Sequence, residues 1–532
     1  MHKRTVLFGV ARLLQVMGLS LFAPLVIAIS DSTEATFAQR MFQPDVAGFW
    51  SAIVLTLTVG TVVTIALRRT HHQQTVREGF AIVGIGWMVL ALFGSIPLFV
   101  YFLSQHAVLD AVIIAESFTD AVFEIMSGFT TTGSTILRDI ESVPRGILFW
   151  RALTHWLGGM GIVTLALVIF PALGVSGYHM FKGEVPGPSK ERAHTRLAGT
   201  ANVLWGVYAL LTLIEIILLL IGGMDWFDAC CHSFATMATG GFSTKNLSIA
   251  AFDSEVIHWV VVVFMFLAGA NFLLHYNVLR GNGRLMLRDV EFRFYVYIIL
   301  AAITVSTLVL TIDGLPSTEA SRSSFRSAPM PYEDFAEHVE RQEDLVGTLY
   351  GSFRASAFQV VSIITTTGFC TADFDLWPAM VKLLLVLLMF IGGCAGSTGG
   401  GIKVIRILVV IKAAWREIIR MARPRIVRPI RIGNDSIEET RVGNIVSFLL
   451  LFLFITVAAA LLLSLYVPDL TTSVTAVVAC IANIGPGLAG VGAIENFAWI
   501  PLPGKWILIL TMLLGRLEIF TILVLLRPSV WR

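Results

Sequence analysis

The stretch Phe129-Thr130-Thr131-Thr132-Gly133-Ser134-Thr135 is the most informative part of this sequence, because variants of it recur three more times. The later copies read Met-Ala-Thr-Gly-Gly-Phe-Ser, Ile-Thr-Thr-Thr-Gly-Phe-Cys and Asn-Ile-Gly-Pro-Gly-Leu-Ala, and they occupy residues 237–243, 364–370 and 483–489. Aligned on one glycine per copy, the anchors are Gly133, Gly241, Gly368 and Gly487, with separations of 108, 127 and 119 residues. A repeat at this spacing predicts structural units that stack and share a core.

A second glycine follows each string at a nearly constant distance. These glycines are Gly159, Gly269, Gly393 and Gly515, which lie 26, 28, 25 and 28 residues after the respective anchors. Two sets of glycines thus recur at matching positions in all four copies. This pattern predicts that each unit consists of a helix, a half-length re-entrant helix, an extended glycine string and a second helix. The alternative is that the strings are small-residue motifs for helix packing.

The composition places these units in a membrane. Of 532 residues, 56% are apolar and 14% are charged, and the mean hydropathy is +0.79. A soluble domain carries about 25% charged residues, so we exclude a soluble enzyme, a disordered chain and a nucleic-acid binder. The five cysteines lie in apolar stretches without metal-site spacing, and we interpret them as small buried residues that form neither disulfides nor metal sites.

Ten apolar runs have the length of about 20 residues that a spanning helix needs. They cover approximately 7–29, 49–67, 80–103, 147–171, 200–222, 256–279, 294–312, 379–413 (interrupted), 443–466 and 503–526. The first run resembles a signal peptide, but it is longer than a typical signal core and contains Arg12, so we interpret it as a helix. Basic residues gather near 68–77, 182–196, 280–293 and 403–431, and acidic residues gather in 313–344. This charge distribution predicts a cytoplasmic N-terminus with segment 313–344 outside.

The strings have the properties of a cation pathway. Irregular backbone at membrane depth survives only where it is buried in protein or lines water. Glycine permits positive φ, so the unpaired carbonyls of four strings can turn toward one axis and replace the hydration shell of a cation. The string residues predicted to form this filter are Thr131, Thr132, Gly133, Thr239, Gly240, Gly241, Thr366, Thr367, Gly368, Gly485, Pro486 and Gly487.

A glycine-rich run interrupts the eighth apolar stretch and cannot hold a regular helix. We expect it to form a flexible gate beneath the strings; the alternative is a bend that only packs against a neighbour. The predicted gate residues are Gly392, Gly393, Gly396, Ser397, Thr398, Gly399, Gly400 and Gly401.

Arg516 lies within an apolar span, where a charge is costly. We expect it to face the axis below the strings and to act as a barrier to passive leak. The alternative is that Arg516 pairs with Glu518 or with a carbonyl and holds two repeats together.

Other polar residues within the apolar segments receive simpler interpretations. Asp120 and Asp228 each precede their anchor glycine by thirteen residues, and we expect them to cap the re-entrant helices. Attraction of cations at the outer mouth is the alternative. We expect His155, His232 and His275 to be hydrogen-bonded packing residues.

These residues together resemble the Trk/Ktr/HKT superfamily of potassium transporters, and most closely its TrkH-type membrane subunits. Further matching motifs are Arg77-Glu78-Gly79-Phe80, Trp156-Leu157-Gly158-Gly159-Met160-Gly161, Glu184 with Pro186-Gly187-Pro188, Leu204-Trp205, Asn271-Phe272 with His275-Tyr276, and Gly515-Arg516-Leu517-Glu518. The resemblance implies one K+ pathway per subunit, a homodimer, and a cytosolic TrkA-type nucleotide-binding subunit that controls the pore. It also makes K+ the transported ion, with expected contacts at Thr131, Thr132, Thr239, Gly240, Thr366, Thr367, Ile484 and Gly485.

The predicted fold is an all-α polytopic membrane protein, with four pseudo-symmetric helix–pore-helix–helix repeats around one central pore plus an N-terminal helix pair. The expected boundaries are 1–70 for the helix pair and 71–182, 183–290, 291–432 and 433–532 for the repeats.

The predicted function is K+ uptake through a channel-like pore in the bacterial cytoplasmic (inner) membrane. Only one glycine is shared per string, which suggests modest discrimination between K+ and Na+. The alternative is a proton- or sodium-coupled secondary transporter, a symporter. We expect no enzymatic activity and no organic cofactor, because the sequence contains no catalytic or metal-binding constellation, and the glycine pattern at 485–490 follows no strand.

Overall fold

The computed structural model describes residues 2–31, 37–67, 76–173, 190–315, 342, 346–424, 429–433 and 435–531. Helices form nearly all regular structure in these ranges, as predicted, and the two short strands β1 (Arg431–Ile432) and β2 (Asp435–Ser436) pair as a small antiparallel hairpin. Several residues used in the sequence analysis lie outside the described residues. They are Arg68, Arg69, Lys182, Glu184, the motif 186–188 and most of the acidic segment 313–344.

The N-terminal helices form two apolar spans that pack against each other and against the rest of the protein. Their ranges are α1 (Lys3–Ser20), α2 (Phe22–Asp31), α3 (Phe37–Met41) and α4 (Pro44–Leu67). Together α1 and α2 form a 29-residue apolar segment, which agrees with the prediction of a helix over 7–29. Helices α1 and α4 approach closely because Gly60 faces the backbone of Ala11 and leaves no room for a side chain.

The first two repeats follow in chain order. Their helices are α5 (Val76–Gly94), α6 (Ile96–Ser104), α7 (Ala111–Phe129), α8 (Arg145–Leu173), α9 (Lys190–Ile221), α10 (Trp226–Met237), α11 (Glu255–Ala268), α12 (Phe272–Leu279) and α13 (Gly283–Arg288).

The last two repeats complete the described chain. Their helices are α14 (Val290–Asp313), α15 (Leu349–Ile364), α16 (Ala379–Ile391), α17 (Val404–Ala422), α18 (Glu439–Leu463), α19 (Leu470–Ala482), α20 (Leu502–Arg516), α21 (Phe520–Leu525) and α22 (Pro528–Trp531).

The repeats close into a ring. Helix α8 of the first repeat packs on α10 of the second, α11 packs on α15 of the third, and α16 packs on α19 of the fourth. Helix α20 of the fourth repeat then returns to α7 of the first. The four re-entrant helices therefore lie at the centre, where the last turns of α7, α15 and α19 are completely buried.

Six segments of the described chain are long and apolar enough to cross a membrane, two of them formed by α1 with α2 and by α5 with α6, and a seventh span results if α11 and α12 are counted together. Large apolar side chains such as Phe454 (70% exposed) and Leu461 (66% exposed) cover the outward face of α18, as expected for a surface in contact with lipid. The interruption predicted within 379–413 is confirmed, because α16 ends at Ile391 and α17 begins at Val404.

Two runs predicted as continuous helices are divided instead. The run 256–279 bends by 103° between α11 and α12, because the Asn271 side chain caps a new helix and the Phe272 N–H donates to Gly396 in another repeat. The run 503–526 breaks at Glu518 and Ile519, which both have positive φ. A local cap with one long-range bond interrupts the first run, and left-handed backbone interrupts the second, so hydrophobicity alone predicted the wrong continuity.

Candidate functional site

The four re-entrant helices end in the same backbone turn. In the first repeat, the Thr131 N–H donates to Gly128 and the Thr132 N–H donates to Ser127. The second of these bonds has the counterparts Gly240 to Ala235, Thr367 to Ser362, and Ile484 to Ala479, at 2.8 to 2.9 Å. The shared hydrogen bonds establish which residues of the four strings are structurally equivalent.

The backbone angles of the strings repeat in the same register. Each string has a first residue with positive φ, then one ordinary residue, then a glycine with positive φ. The first residues are Thr131 (+50°), Thr239 (+55°), Thr366 (+62°) and Asn483 (+57°). The glycines are Gly133 (+84°), Gly241 (+80°), Gly368 (+83°) and Gly485 (+103°).

The strings contact one another in a closed cycle. A Cβ atom on each string glycine would lie within 3.0 Å of the carbonyl oxygen of a middle residue in the adjacent string. The contacts are Gly133 with Gly240, Gly241 with Thr367, Gly368 with Ile484, and Gly485 with Thr132. Four strings thus meet around one centre, and no side chain larger than hydrogen fits at these glycines without a shift of backbone.

The sequence alignment of the fourth string was wrong by two residues. Gly487 was taken as its anchor, whereas Gly485 has the positive φ, the contact with the first string and the position that follows Ile484. The Gly487 N–H donates to Val491 in the loop beyond the string, and Pro486 also follows the anchor. The residue that completes the set is Asn483, which the sequence analysis omitted; its side chain donates to Thr132 Oγ1 at 2.9 Å.

The glycines that follow the strings at a nearly constant distance in the sequence are structurally equivalent in only some of the repeats. Gly159 and Gly269 lie against the end of the next re-entrant helix, at Ala238 and Thr365. Gly400 has the same relation to Ala482, so the counterpart in the third repeat is Gly400 rather than Gly393.

The glycine-rich segment forms a loop, residues 392–403, directly beneath the third string. The Gly400 N–H donates to Thr366 Oγ1 at 2.6 Å, so the loop bonds to the string itself. Thr398 Oγ1 donates to Met237 of the second repeat at 3.0 Å, and Lys403 Nζ donates to Gly399 within the loop. The loop therefore contacts the end of one re-entrant helix and the string of another.

Arg516 is buried and connects this loop to the first repeat. Its guanidinium donates to the carbonyl oxygen of Thr398 at 2.8 Å and to that of Gly158 at 3.3 Å. Glu518, which the sequence offered as a partner, pairs with Arg406 instead. The alternative in which Arg516 binds carbonyls and holds two repeats together is thus realised, at a position that touches the loop.

Comparisons with known proteins show which family the chain resembles. A family model described as "TrkH: Cation transport protein" matches residues 47–531. The Trk system potassium uptake protein TrkH of Salmonella typhimurium is 38% identical over 486 residues, which cover 91% of this chain and 92% of that protein. The crystal structure of the potassium transporter TrkH from Vibrio parahaemolyticus matches with a TM-score of 0.82 and 33% identity, and the match covers 100% of both chains. The chain belongs to the TrkH family.

A relative from Halomonas elongata, also named Trk system potassium uptake protein TrkH, is 38% identical over 539 aligned positions that cover 100% of both chains. The family resemblance inferred from the motifs is therefore confirmed. The predicted class is confirmed as well, because TrkH proteins are membrane transport proteins rather than enzymes.

A buried ion pair supports the first two strings in this TrkH-family chain, and sequence analysis missed it. Arg151 Nε and Glu124 Oε1 are 2.7 Å apart, and both side chains are at most 1% exposed. Glu124 also accepts hydrogen bonds from Thr135 Oγ1 and the Ile136 N–H, while Arg151 stacks on Phe242 with 4.1 Å between its guanidinium carbon and the ring centroid. The pair fixes the chain just beyond both strings.

Glu124 occupies a position with the same role in three repeats. It lies nine residues before its string glycine, as do His232 and Gln359. His232 Nε2 bonds to Ser243 Oγ at 2.9 Å, and Gln359 Nε2 donates to Ala372 at 3.1 Å. Each polar side chain thus crosses from the re-entrant helix to the segment that follows its string. Counting back from the glycines would have found the position, although the residue types differ.

The predicted helix caps were wrong, because the re-entrant helices begin at other residues. The side chains that accept the first-turn N–H bonds belong to Asp110, Asp225, Thr348 and Asp469. Asp120 lies inside α7 and pairs with Lys505 of the fourth repeat, and Asp228 accepts from Thr244 Oγ1 at 2.6 Å.

The three histidines are hydrogen-bonded packing residues, as predicted. His155 Nδ1 bonds to the Gly128 oxygen at 3.0 Å, and His275 Nε2 bonds to the Leu267 oxygen at 2.8 Å. His232 bonds to both Asp228 and Ser243.

A cavity of about 100 Å³ lies beyond the strings, and all four string glycines line it. Glu495 lines the same cavity. Its carboxyl is close to those of Asp373 and Asp375, which belong to the segment that follows the third string. Burial, reinforced by the charge of Asp373, raises the pKa of Asp375 to about 8. Burial and the same neighbour raise the pKa of Glu495 to about 7. This cavity therefore carries less negative charge near neutral pH than its carboxyl count suggests.

Proposed function

We propose that this chain carries K+ into the cell along the axis at which the four strings meet. The observation that carries the proposal is the closed cycle of contacts among the string glycines and carbonyls. Backbone oxygens at such a centre can replace the hydration shell of a cation without any carboxylate. The names of the relatives, which describe potassium uptake proteins, support the choice of ion.

The corrected set of filter residues contains three positions in each string. The proposed ion ligands are the backbone carbonyls of Thr131, Thr132, Gly133, Thr239, Gly240, Gly241, Thr366, Thr367, Gly368, Asn483, Ile484 and Gly485. Pro486 and Gly487 are no longer part of the proposal.

The loop 392–403 is the proposed gate. Its bond to Thr366 Oγ1 supports this role, because a segment attached beneath a string obstructs the path of an ion that leaves it. Its glycines permit rearrangement at low steric cost. Release of the bonds at Gly400 and Thr398 would allow the loop to withdraw.

Arg516 is the proposed barrier, and its substitution provides the experiment. A fixed positive charge next to the loop raises the energy of a cation in the pore. Arg516→Ala should increase passive K+ flux into reconstituted vesicles roughly tenfold, which corresponds to about 1.4 kcal/mol. Arg516→Lys, which keeps the charge, is the matched control and should remain near the parent rate. Equal flux in the Ala variant and the parent, at equal protein content, would exclude the barrier role.

We also propose the assembly that the family resemblance implies. It consists of a homodimer in the bacterial inner membrane with a cytoplasmic N-terminus and a cytosolic TrkA-type nucleotide-binding subunit. The partly buried or exposed Lys412, Arg416, Arg420 and Arg423 of the α17 region offer that subunit a basic surface. Lys403 and Arg406 do not belong to this surface because they are buried. The repeat boundaries at 70, 182, 290 and 432 remain part of the proposal.

Coupling to protons or sodium is the second candidate. It is favoured by Glu215, a fully buried carboxyl inside the spanning helix α9 that sequence analysis overlooked. Ionisable residues within a membrane span often belong to ion or proton paths. A reversal potential that follows only the K+ gradient would support the channel, and one that moves with pH or with Na+ would support coupling.

A further inference from the structure

Both ends of the loop 392–403 are attached to one carboxylate oxygen. Glu291 Oε1 accepts the Ala395 N–H at 2.7 Å and the Ile405 N–H at 3.2 Å. Ala395 lies three residues into the loop, and Ile405 lies in the first turn of α17, just after the loop. Glu291 itself belongs to the first turn of α14, a helix of the same repeat that precedes both partners by more than 100 residues.

Apolar contacts reinforce the same junction. Ala395, Ile405 and Leu408 form a small buried cluster, against which Val290 and Phe294 of α14 are packed. The beginning of α14 therefore holds the entry and the exit of the loop through polar and apolar contacts at once.

We propose that Glu291 is the positioning residue that keeps the loop 392–403 closed beneath the strings. The proposal rests on the gating role assigned to this loop above. While one oxygen binds both N–H groups, the ends of the loop stay together, and the number of conformations open to its glycines is reduced. Loss of these two bonds leaves the ends joined only by backbone hydrogen bonds, from the Lys403 N–H to Ile391 and from the Val404 N–H to Gly393, and so favours withdrawal of the loop.

The location of Glu291 suggests how the loop is controlled. The short helix α13 and Asp289 directly precede it, and the Asp289 side chain caps α14 by accepting the Phe292 N–H at 2.7 Å. The segment 280–293 is basic and, in the proposed topology, cytoplasmic. A cytosolic partner that moves this segment would shift Glu291 relative to the loop, with no need to enter the membrane.

Cys394 is a natural reporter of loop opening. It lies next to Ala395, is 1% exposed and carries a free thiol. In the full-length protein with the other four cysteines replaced by serine, labelling by the small reagent methanethiosulfonate ethylammonium measures how often the loop exposes this thiol. The parent for comparison is the same protein with Glu291 intact, after its K+ flux has been shown to be retained.

Glu291→Ala should increase the labelling rate of Cys394 roughly tenfold or more, because the two hydrogen bonds that Glu291 accepts are lost. Glu291→Gln keeps one acceptor oxygen, so its rate should fall between those of the parent and the Ala variant. The matched control is Glu255→Ala. It removes another first-turn glutamate, whose carboxylate oxygen lies 2.6 Å from the guanidinium of Arg354 and which does not bond to the loop. This variant should leave the labelling rate unchanged.

An unchanged labelling rate in a folded Glu291→Ala protein would overturn the proposal. If that variant does not fold, Glu291→Asp decides instead: its carboxyl is withdrawn by one methylene from both N–H groups, so an unchanged rate would overturn the proposal in the same way. K+ flux measured on the same samples separates the two proposals. Faster labelling with higher flux supports the clamp and the gate together. Faster labelling with unchanged flux supports the clamp and shows that the loop is not the gate.

Discussion

Replacement of Gly368 by alanine tests the central geometry most directly. Gly368 has a φ of +83°, and a Cβ atom placed on it would approach the Ile484 carbonyl oxygen about 1 Å more closely than the 3.0 Å that real Cβ atoms respect. That oxygen belongs to the backbone of the adjacent string, so no side chain can turn aside to make room. The carbonyl itself must move away from the position that we assign to an ion ligand.

The chain offers a control with the same backbone angle and no neighbour. Gly281 also has a φ of +83°, and a Cβ atom there would meet nothing within 4 Å. Alanine at either position pays the left-handed penalty of about 1–2 kcal/mol. Only Gly368→Ala adds the displacement of a carbonyl, so the difference between the two variants isolates that displacement.

The assay is the ratio of K+ to Na+ flux in reconstituted vesicles. A loss of about 1.4 kcal/mol of differential ion binding changes this ratio tenfold, and we expect at least that change for Gly368→Ala. Gly281→Ala should keep the parent ratio while its thermal stability falls. If both variants keep the same flux ratio, the carbonyl of Ile484 is not an ion ligand and the filter argument fails.

Three further results are expected. Gly485→Ala should lower the K+/Na+ flux ratio while Gly487→Ala leaves it within about twofold; the reverse order would restore the original alignment. Arg151→Met should lower the free energy of unfolding in detergent by about 3–5 kcal/mol, because it leaves the Glu124 charge buried alone; a milder loss in the double variant with Glu124→Gln would confirm the pairing. The pKa of Asp375 is raised from 3.8 to about 8, so the folded protein retains a proton that the unfolded chain has lost, and stability falls as pH rises through this range. Asp375→Asn should therefore reduce the drop in melting temperature between pH 5 and pH 9, and an unchanged drop would contradict the buried carboxyl.

Much of the candidate site could be predicted because its requirements are local. Glycine at Gly133, Gly241 and Gly368 follows from the need for positive φ, and the recurrence of these glycines revealed the repeat. The alignment of the fourth string was wrong for an equally local reason. Asn483 adopts the left-handed conformation that threonine adopts in the other strings, and two glycines around Pro486 offered two registers. The bond from Ile484 to Ala479, the positive φ of Gly485 and its contact with the first string distinguish them.

The sequence by itself determined that the chain is a helical membrane protein, that four irregular strings interrupt it, and that one span is broken by glycine. These features depend on hydrophobicity, charge and backbone freedom, which each short segment carries within itself. The tertiary structure alone decided the partners of Arg516, the pairing of Glu124 with Arg151 and the two hydrogen bonds that Glu291 accepts from the loop and the helix after it. Such contacts join residues far apart in the chain, and they form only where packing brings the repeats together.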